Sequence, residues 1–382
     1  MLALIGFLSL VNFYYKNLQN VHDAALGEIH STAQHDTPEH SSRNPNLNGY
    51  APADIEKWVM ENSTFLGYGE RQGFGGDACK MWNDKSQQNS LYPYLQSFVK
   101  ELEEYNKLLQ EFNYTKARDV RKLLNENKDQ QESICRELEL HPDGLTGIFK
   151  SNSLSLTPAG YVEPILPPLR HPRICWDEKE VTIDSPSLFD MGYLIHDFAA
   201  MCRKLKPSSR IVLIDMGASL EYHENLGKLS PPVYLQELYQ RFGLPFDHIY
   251  AFEKKLQDPT AVVKSVPENL LGAYHWFNVG VASDPNSKFN PLRILLQNFD
   301  QDDLVVIKLD IDTPSIEIPL ANQLRDDHRF HKLVDHFYFE HHVRMQPISQ
   351  IWTKRHSSGS IQDSIKLFSD LRKHGIAAHS WP

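Results

Sequence analysis

The chain has little of several features that would assign it to a functional class. It contains only four cysteines (Cys79, Cys135, Cys175 and Cys202), and none of them has the CxxC spacing of a structural zinc site. It has no cluster of lysines and arginines, and its formal net charge is −10. Because phosphate binding needs clustered positive charge, no nucleic-acid partner is expected. No internal repeat is visible.

The four cysteines do not determine whether the protein is lumenal or cytosolic. In an oxidising lumen, Cys79 could pair with Cys135 and cross-link the N-terminal region, whereas in the cytosol all four would be free thiols. Buried free cysteines are an equally good interpretation of the sequence alone.

Only the N-terminus carries a long apolar run. Residues 1–15 contain no charged side chain, and Lys16 follows them. Crossing a bilayer takes about 20 apolar residues, so the run predicts a signal peptide or a marginal membrane anchor within residues 1–20. A buried N-terminal helix or strand is the alternative. Lys16 lies after the run, which does not favour the cytosolic N-terminus of a Golgi anchor.

The residues that follow fit a lumenal protein. Residues 21–58 are rich in His, Asn, Ser and Pro, as a stem would be, and Asn62 and Asn113 lie in glycosylation sequons. We therefore expect a glycoprotein of the secretory pathway, with a lumenal domain and an anchor in the Golgi or ER membrane.

Residues 59–150 are expected to form a helical subdomain. Apolar residues repeat at spacings of three and four between Leu95 and Phe112, and a second helical stretch at about 116–138 would pack against them as a hairpin. Prolines are frequent in residues 151–185, which predicts an extended connector, either a strap between domains or a solvated linker.

Residues 186–382 predict an α/β fold. Short apolar runs alternate with amphipathic stretches, which is typical of a doubly wound, mostly parallel, Rossmann-like sheet. The predicted strands are 211–216, 248–253, 276–282, 304–310, 335–341 and a closing segment 376–379. The predicted helices are about 188–205, 231–242, 258–271, 291–299 and 361–373.

Three of the apolar runs end on acidic residues. Asp215 ends the first, Glu253 ends the second, and Asp310 with Asp312 ends the run that begins at 304. Ligands of open α/β sheets bind outside the carboxyl ends of the strands. The four acids therefore predict one edge of the sheet as the active site.

The first two of these acids carry a resemblance to a known family. The turn from Asp215 through Gly217 to Ser219, followed by Glu253 at the end of the second strand, resembles S-adenosylmethionine-dependent methyltransferases. The segment Ile307-Lys308-Leu309-Asp310-Ile311-Asp312 is similar to the IKxDxEG segment of FkbM-type methyltransferases, many of which act on sugar or small-molecule hydroxyls. The resemblance covers about residues 205–345.

This resemblance implies a role for each residue. Asp215, Gly217 and Ser219 would hold the amino-acid part of the cofactor, and Glu253 would bind its ribose. Asp310, with Asp312 or His341, would face a small-molecule or glycan acceptor during in-line methyl transfer to oxygen.

The chain departs from the family pattern at two places. No further glycine follows Gly217 until Gly227, and Asp312-Thr313-Pro314 stands where FkbM-type enzymes have Glu-Gly. A turn aspartate at Asp215 and a helix N-terminal acid at Asp312 are the structural alternatives.

Two other functions compete with methyl transfer. Asp310-x-Asp312 looks like the motif with which GT-A glycosyltransferases hold a divalent cation against a nucleotide-sugar diphosphate, and Mg²⁺ or Mn²⁺ would suit those oxygen ligands. A degenerate Rossmann module that binds a glycan or protein partner without turnover is the third hypothesis.

A histidine-rich stretch follows, but it predicts no metal site. On a strand at 335–343, His341 and His342 would point to opposite faces and could not easily bind one ion. We expect at most one of Glu340, His341 and His342 at the site, with His341 assigned to the acceptor side.

Overall fold

The structure is a computed structural model of the chain, and it describes residues 119–136, 198–220, 229–343, 359 and 361–381. All of these belong to one compact unit, residues 45–382. Several expected features lie outside the described residues: the apolar run 1–15, the stem 21–58, both sequons, the helix near 95–112 and the connector 151–185. Among the described helices, none is both long and apolar enough to cross a membrane.

The described residues form nine α-helices and six strands, and from β1 onward at least one helix separates each strand from the next. The helices are α1 (Val120–Glu126), α2 (Gln131–Arg136), α3 (Phe198–Lys204), α4 (Pro231–Arg241), α5 (Pro259–Ser265), α6 (Leu292–Asn298), α7 (Pro314–Asp326), α8 (His328–His331) and α9 (Ile361–Lys373). The strands are β1 (Ile211–Met216), β2 (His248–Phe252), β3 (Tyr274–Phe277), β4 (Leu304–Leu309), β5 (His336–Phe339) and β6 (Ala377–Ser380).

The six strands form one parallel sheet in the order β3-β2-β1-β4-β5-β6. The chain builds outward from β1 in one direction as far as β3, and then returns to β4 on the other side of β1. The order therefore reverses between β1 and β4, which is the topological switch point where such sheets bind ligands. The expected Rossmann-like α/β fold is confirmed.

Apolar residues on successive strand positions enter two different cores. Val212 and Ile214 of β1 belong to the core with residues of α6, α7 and α9, whereas Ile211 and Leu213 belong to the core with residues of α1 to α4. Burial on both faces explains why the strand sequences are continuous apolar runs instead of alternating ones. The helices on both faces leave only the ends of the sheet for a site.

The amino ends of the strands carry ion pairs that also hold backbone groups. Asp247, just before β2, pairs with Arg121 and accepts from the Ile211 N–H at 2.8 Å. Asp303, before β4, pairs with Arg210 at 2.6 Å and accepts from that residue's N–H. Asp335 pairs with Lys204 at 2.6 Å and accepts from the Val305 N–H. Each of the three acids therefore binds one basic side chain and one backbone N–H.

Two expected helices are wrong in extent. The helix predicted at 116–138 breaks at Asn127, whose backbone and side-chain N–H groups both donate to Leu123 O and end α1 there. The helix predicted at 258–271 stops at Val266, which is extended because Pro267 follows it, and a short 3₁₀ turn replaces its last part. Of the helix predicted at 188–205, the structure describes α3 and the residues after it.

The third strand and one helix also differ from expectation. The strand predicted at 276–282 lies at 274–277. It ends there because the Asn278 side chain donates to the carbonyls of Glu253 and Lys255, and the chain leaves the sheet at this residue. Helix α7 had not been predicted, although Pro314 lies at its first position, where proline is favoured. Pro319 inside α7 conceals the helix in the sequence.

Neither alternative for Cys135, a bond to Cys79 or a free thiol, is found in the structure. Cys135 of α2 forms its disulfide with Cys202 of α3, across a sequence separation of 67 residues, and not with Cys79. Both sulfurs lie in the core that α1 to α4 share. The bond therefore joins the helical segment before residue 136 to the α/β fold.

Candidate functional site

The carboxyl ends of β1 and β4 meet through Gly217. The Asp310 N–H donates to Met216 O at 2.9 Å, and Gly217 has a φ of 92°, which a side chain rarely allows. A Cβ at this position would lie 1.5 Å from the Asp310 carbonyl oxygen. Glycine is therefore required here for the two strand ends to approach each other.

A buried lysine lies between the acids of these two strands. Lys308 of β4 is in register with Asp215 of β1, so the two side chains lie on the same face of the sheet. Its Nζ lies 3.2 Å from Asp215 Oδ1, 3.1 Å from Asp310 Oδ2 and 3.2 Å from Gly217 O. Lys308 and Asp215 are both fully buried. One ammonium group thus holds two of the predicted site acids.

The pKa values in this group follow from burial and from the ion pairs. Burial opposes the charged form of Lys308, but the carboxylates of Asp215 and Asp310 outweigh burial and raise its pKa. Burial raises the pKa of Asp215 despite Lys308. Burial acts in the same sense on Asp310, but Lys308 and a hydrogen bond with Glu340 lower the pKa of Asp310 overall. Asp310 is therefore a carboxylate at neutral pH.

Three further side chains converge beside Asp310, after β4 and β5. His342 Nε2 lies 2.7 Å from Glu340 Oε2 and 3.6 Å from Asp312 Oδ1, and one ligand atom from each residue lies within 4.8 Å of the others. The His342 side chain is 1% exposed, whereas Asp312 is 76% exposed. We call Asp312, Glu340 and His342 the carboxylate–imidazole triad. The triad therefore extends from the protein surface, at Asp312, to the buried side chain of His342.

The titration of Glu340 and His342 reflects their mutual contact. Burial, followed by the charge of Asp310, raises the pKa of Glu340 to about 8. Burial lowers the pKa of His342, but the hydrogen bond and charge of Glu340 outweigh burial and raise it to about 9. Groups that titrate near neutrality at a strand end are candidates for proton transfer or ligand binding.

Glu317 of α7 fixes the loop that carries Asp312. Its Oε1 accepts from the Ile311 N–H at 2.8 Å, and burial raises its pKa to about 7. Asp312 itself has a φ of 53°, a left-handed conformation that aspartate tolerates better than most residues. The loop after β4 is therefore shaped by a buried acid that the sequence had not identified.

His341 lies on the other side of the chain from the triad. Its ring stacks on Phe339 at 5.1 Å between centroids, and burial lowers its pKa to about 4. The histidine that contacts Glu340 and Asp312 is His342, and the acceptor-side role of His341 stays a prediction. Glu340 and His342 lie together, although we had expected at most one residue of this run at the site.

The predicted cofactor residues lie at the ends of β1 and β2, and they fit S-adenosylmethionine in part. The N–H groups of Gly217 and Ala218 both donate to Phe252 O at 3.0 Å, and the Ser219 N–H donates to Gly217 O. These amides are used within the chain. Glu253 is only partly buried, and its Oε1 accepts from the Lys255 N–H at 2.5 Å. Its carboxylate has the position of the acid that binds ribose in nucleotide-binding α/β folds.

The fold and the site define a Rossmann-like α/β protein with an acidic group of side chains at its switch point. No protein-family model, curated protein or solved structure matches this chain.

The site residues that the sequence had not identified carried recognisable signals. Lys308 is the one charged residue inside the apolar run of β4, opposite Asp215 of β1. A lysine at such a position needs a carboxylate beside it, because an unpaired buried charge is very costly. Opposite charges near the carboxyl ends of two apolar runs therefore predict a buried ion pair between adjacent strands.

Proposed function

We propose that this chain is an S-adenosylmethionine-dependent methyltransferase that acts on a hydroxyl group of a sugar or small molecule. The observation that carries the proposal is the position of the Asp215–Gly217 turn and of Glu253, at neighbouring strand ends beside the switch point of a Rossmann-like sheet. Glu253 would accept the ribose hydroxyls. Because the amides of residues 217–219 are used internally, side chains would hold the amino-acid part of the cofactor.

The chemistry is an in-line displacement. S-adenosylmethionine supplies an electrophilic methyl group, and the acceptor oxygen forms its bond to carbon as the sulfur–carbon bond breaks. The acceptor's proton leaves to a base. Asp310 and Glu340 share a hydrogen bond at the acceptor side, and this carboxyl pair would take the proton.

Lys308 would have a positioning role in this proposal. Its contacts with Asp215 and Asp310 hold two carboxylates in fixed places on adjacent strands. Positioning of an acceptor and of its base lowers the barrier because the reacting groups need no further ordering.

Calorimetric titration of the intact protein with S-adenosylhomocysteine tests the proposal. We expect one site per chain and at least tenfold weaker binding in Glu253→Ala. Glu268→Ala, an exposed acid before β3, is the matched control and should bind as the wild type does. Absence of binding, or equal binding by Glu253→Ala, would refute the methyltransferase proposal.

Metal-dependent glycosyl transfer is the second candidate, because the carboxylate–imidazole triad brings ligand atoms of three residues together. Asp310 weakens it, since this carboxylate contacts Lys308 and is not one of the three residues whose ligand atoms lie together. Titration with a UDP-sugar and Mn²⁺ separates the two. Binding that requires Mn²⁺ and is abolished by Asp310→Ala would favour glycosyl transfer, and binding of neither ligand would favour a non-catalytic module.

A location in the secretory pathway is part of the proposal. It rests on the N-terminal sequence, and the Cys135–Cys202 bond is of a kind that oxidising compartments permit. An acceptor in such a compartment would be a glycan or a small molecule that enters the lumen.

A further inference from the structure

Among the described residues at the carboxyl end of the sheet, carboxyl groups outnumber basic side chains. Among the described residues, the cluster contains Asp215, Asp310, Asp312, Glu317 and Glu340. Only Lys308 and His342 in this cluster can carry positive charge. A bound cation would offset part of the negative charge that these residues bring together.

The triad has the spacing of ligands around one ion. Two atoms bonded to a metal at about 2.1 Å lie about 3.0 Å apart at right angles and about 3.4 Å apart in a tetrahedron. His342 Nε2 is 2.7 Å from Glu340 Oε2 and 3.6 Å from Asp312 Oδ1, on either side of these values. Only small side-chain movements would place all three atoms on one ion, and the exposed Asp312 can move most easily.

The surroundings of the triad supply what a metal site needs beyond its ligands. Glu317 anchors the loop of Asp312 through the Ile311 N–H. The loop that carries Asp312 is thus held, and the Asp312 side chain is open to solvent.

We propose that Asp312, Glu340 and His342 bind a divalent transition-metal ion at the switch point of the sheet. Two carboxylates and one imidazole suit Mn²⁺ or Zn²⁺ better than Mg²⁺, which prefers oxygen ligands alone. The three ligands leave further coordination positions on the solvent side for oxygen atoms of a substrate. The inference does not depend on the methyl-transfer proposal.

The test is direct metal binding to the intact protein after treatment with EDTA. Calorimetric titration with MnCl₂ and with ZnCl₂ should give one ion per chain for at least one of the two metals. Asp312→Asn, Glu340→Gln and His342→Asn should each weaken that binding about tenfold or more. Asp326→Asn, an acid of similar exposure on α7, is the matched control and should bind as the wild type does.

Asp312→Asn is the decisive variant, because its exposed side chain should not be needed for folding. Its folding is verified by an unchanged thermal unfolding curve in EDTA. Absence of one-to-one binding of either metal would overturn the proposal, as would equal affinity in wild type and Asp312→Asn. Because S-adenosylhomocysteine is absent from these titrations, their failure is distinct from failure of the methyltransferase proposal.

Discussion

The two ends of one parallel sheet use acidic residues in opposite ways. At the amino ends, Asp247, Asp303 and Asp335 each contact a basic side chain and accept a backbone N–H in, or directly before, a neighbouring strand. At the carboxyl ends, described carboxyl groups outnumber basic side chains, and burial raises the pKa of Glu317 to about 7 and that of Glu340 to about 8. At the amino ends burial also raises the pKa of Asp335, but Arg210 outweighs burial and lowers that of Asp303.

The difference separates stabilising acids from functional ones. An acid that accepts hydrogen bonds and faces a cation stabilises the fold, so its removal should lower the free energy of unfolding. A buried acid in a group with excess negative charge costs stability, and proteins retain such groups at binding and catalytic sites. The comparison can be tested by substitutions at matched positions of the two ends.

Lys308→Met should give the largest effect. It leaves the buried carboxyl group of Asp215 and the partly buried one of Asp310 without their shared cation, which should lower the free energy of unfolding by about 3–5 kcal/mol. Lys204→Met is the control at the amino end, where the Lys204–Asp335 pair is partly solvated, and it should cost about 1 kcal/mol. Urea denaturation measures both, and equal losses would remove the distinction between the two ends.

Gly217→Ala should be the next most damaging change. The new Cβ would meet the Asp310 carbonyl in a left-handed backbone, and we expect a loss of about 3 kcal/mol or more in the free energy of unfolding. Gly359→Ala has a similar φ of 82° but no contact closer than 3.4 Å, so it should cost about 1 kcal/mol. Equal losses of stability for the two variants in urea denaturation would contradict the claim that β1 and β4 approach each other too closely at Gly217 to admit a side chain.

Acid pH should destabilise the protein through His336, at the amino end of β5. Burial lowers the pKa of His336 to about 3, and Tyr239 hydrogen-bonds its ring. A histidine with a lowered pKa contributes stability above its unfolded pKa of about 6.5, and this contribution is lost as the pH falls toward the folded pKa. Between pH 7 and pH 5 the loss should be about 2 kcal/mol.

The variant His336→Phe isolates this effect. Between pH 7 and pH 5, its free energy of unfolding should fall by about 2 kcal/mol less than that of the wild type. Parallel pH profiles for the two proteins would contradict a neutral, buried His336.

Much of the sheet could be predicted from the sequence because its strands are apolar runs that end at acids or turns. The bounds of β1, β2, β4 and β5 came within two residues of those in the structure. β3 was displaced because an Asn278 side chain ends it through hydrogen bonds to a different loop. Such long-range side-chain contacts leave no periodic signal in the sequence.

The sequence predicted where the site lies in the sheet better than it predicted which residues form it. Asp310 and Asp312 lie at the expected edge, and Asp215 reaches Asp310 through Lys308. Strand alternation separates His341 from His342, as the structure does, but it does not indicate which of the two sides faces Asp312. Glu317 lies on a helix that Pro319 conceals in the sequence.

The most direct measurement compares Asp303→Asn with Glu317→Gln in urea denaturation at pH 8. The raised pKa of Glu317 means that its contribution to stability is full below about pH 4.5 and is lost as the pH rises through 7. Linkage alone gives about 3 kcal/mol at pH 8, and the weaker hydrogen bond that an amide accepts from the Ile311 N–H offsets part of it. A neutral glutamine should therefore raise the free energy of unfolding by about 1–2 kcal/mol.

Asp303→Asn should lower the same quantity by about 1–2 kcal/mol, because the Arg210 pair keeps the pKa of Asp303 low despite burial and the variant loses a charged acceptor. Opposite signs for the two variants are the predicted result. A loss of stability in both would contradict the claim that the carboxyl end of this sheet carries acids for function and the amino end carries them for stability.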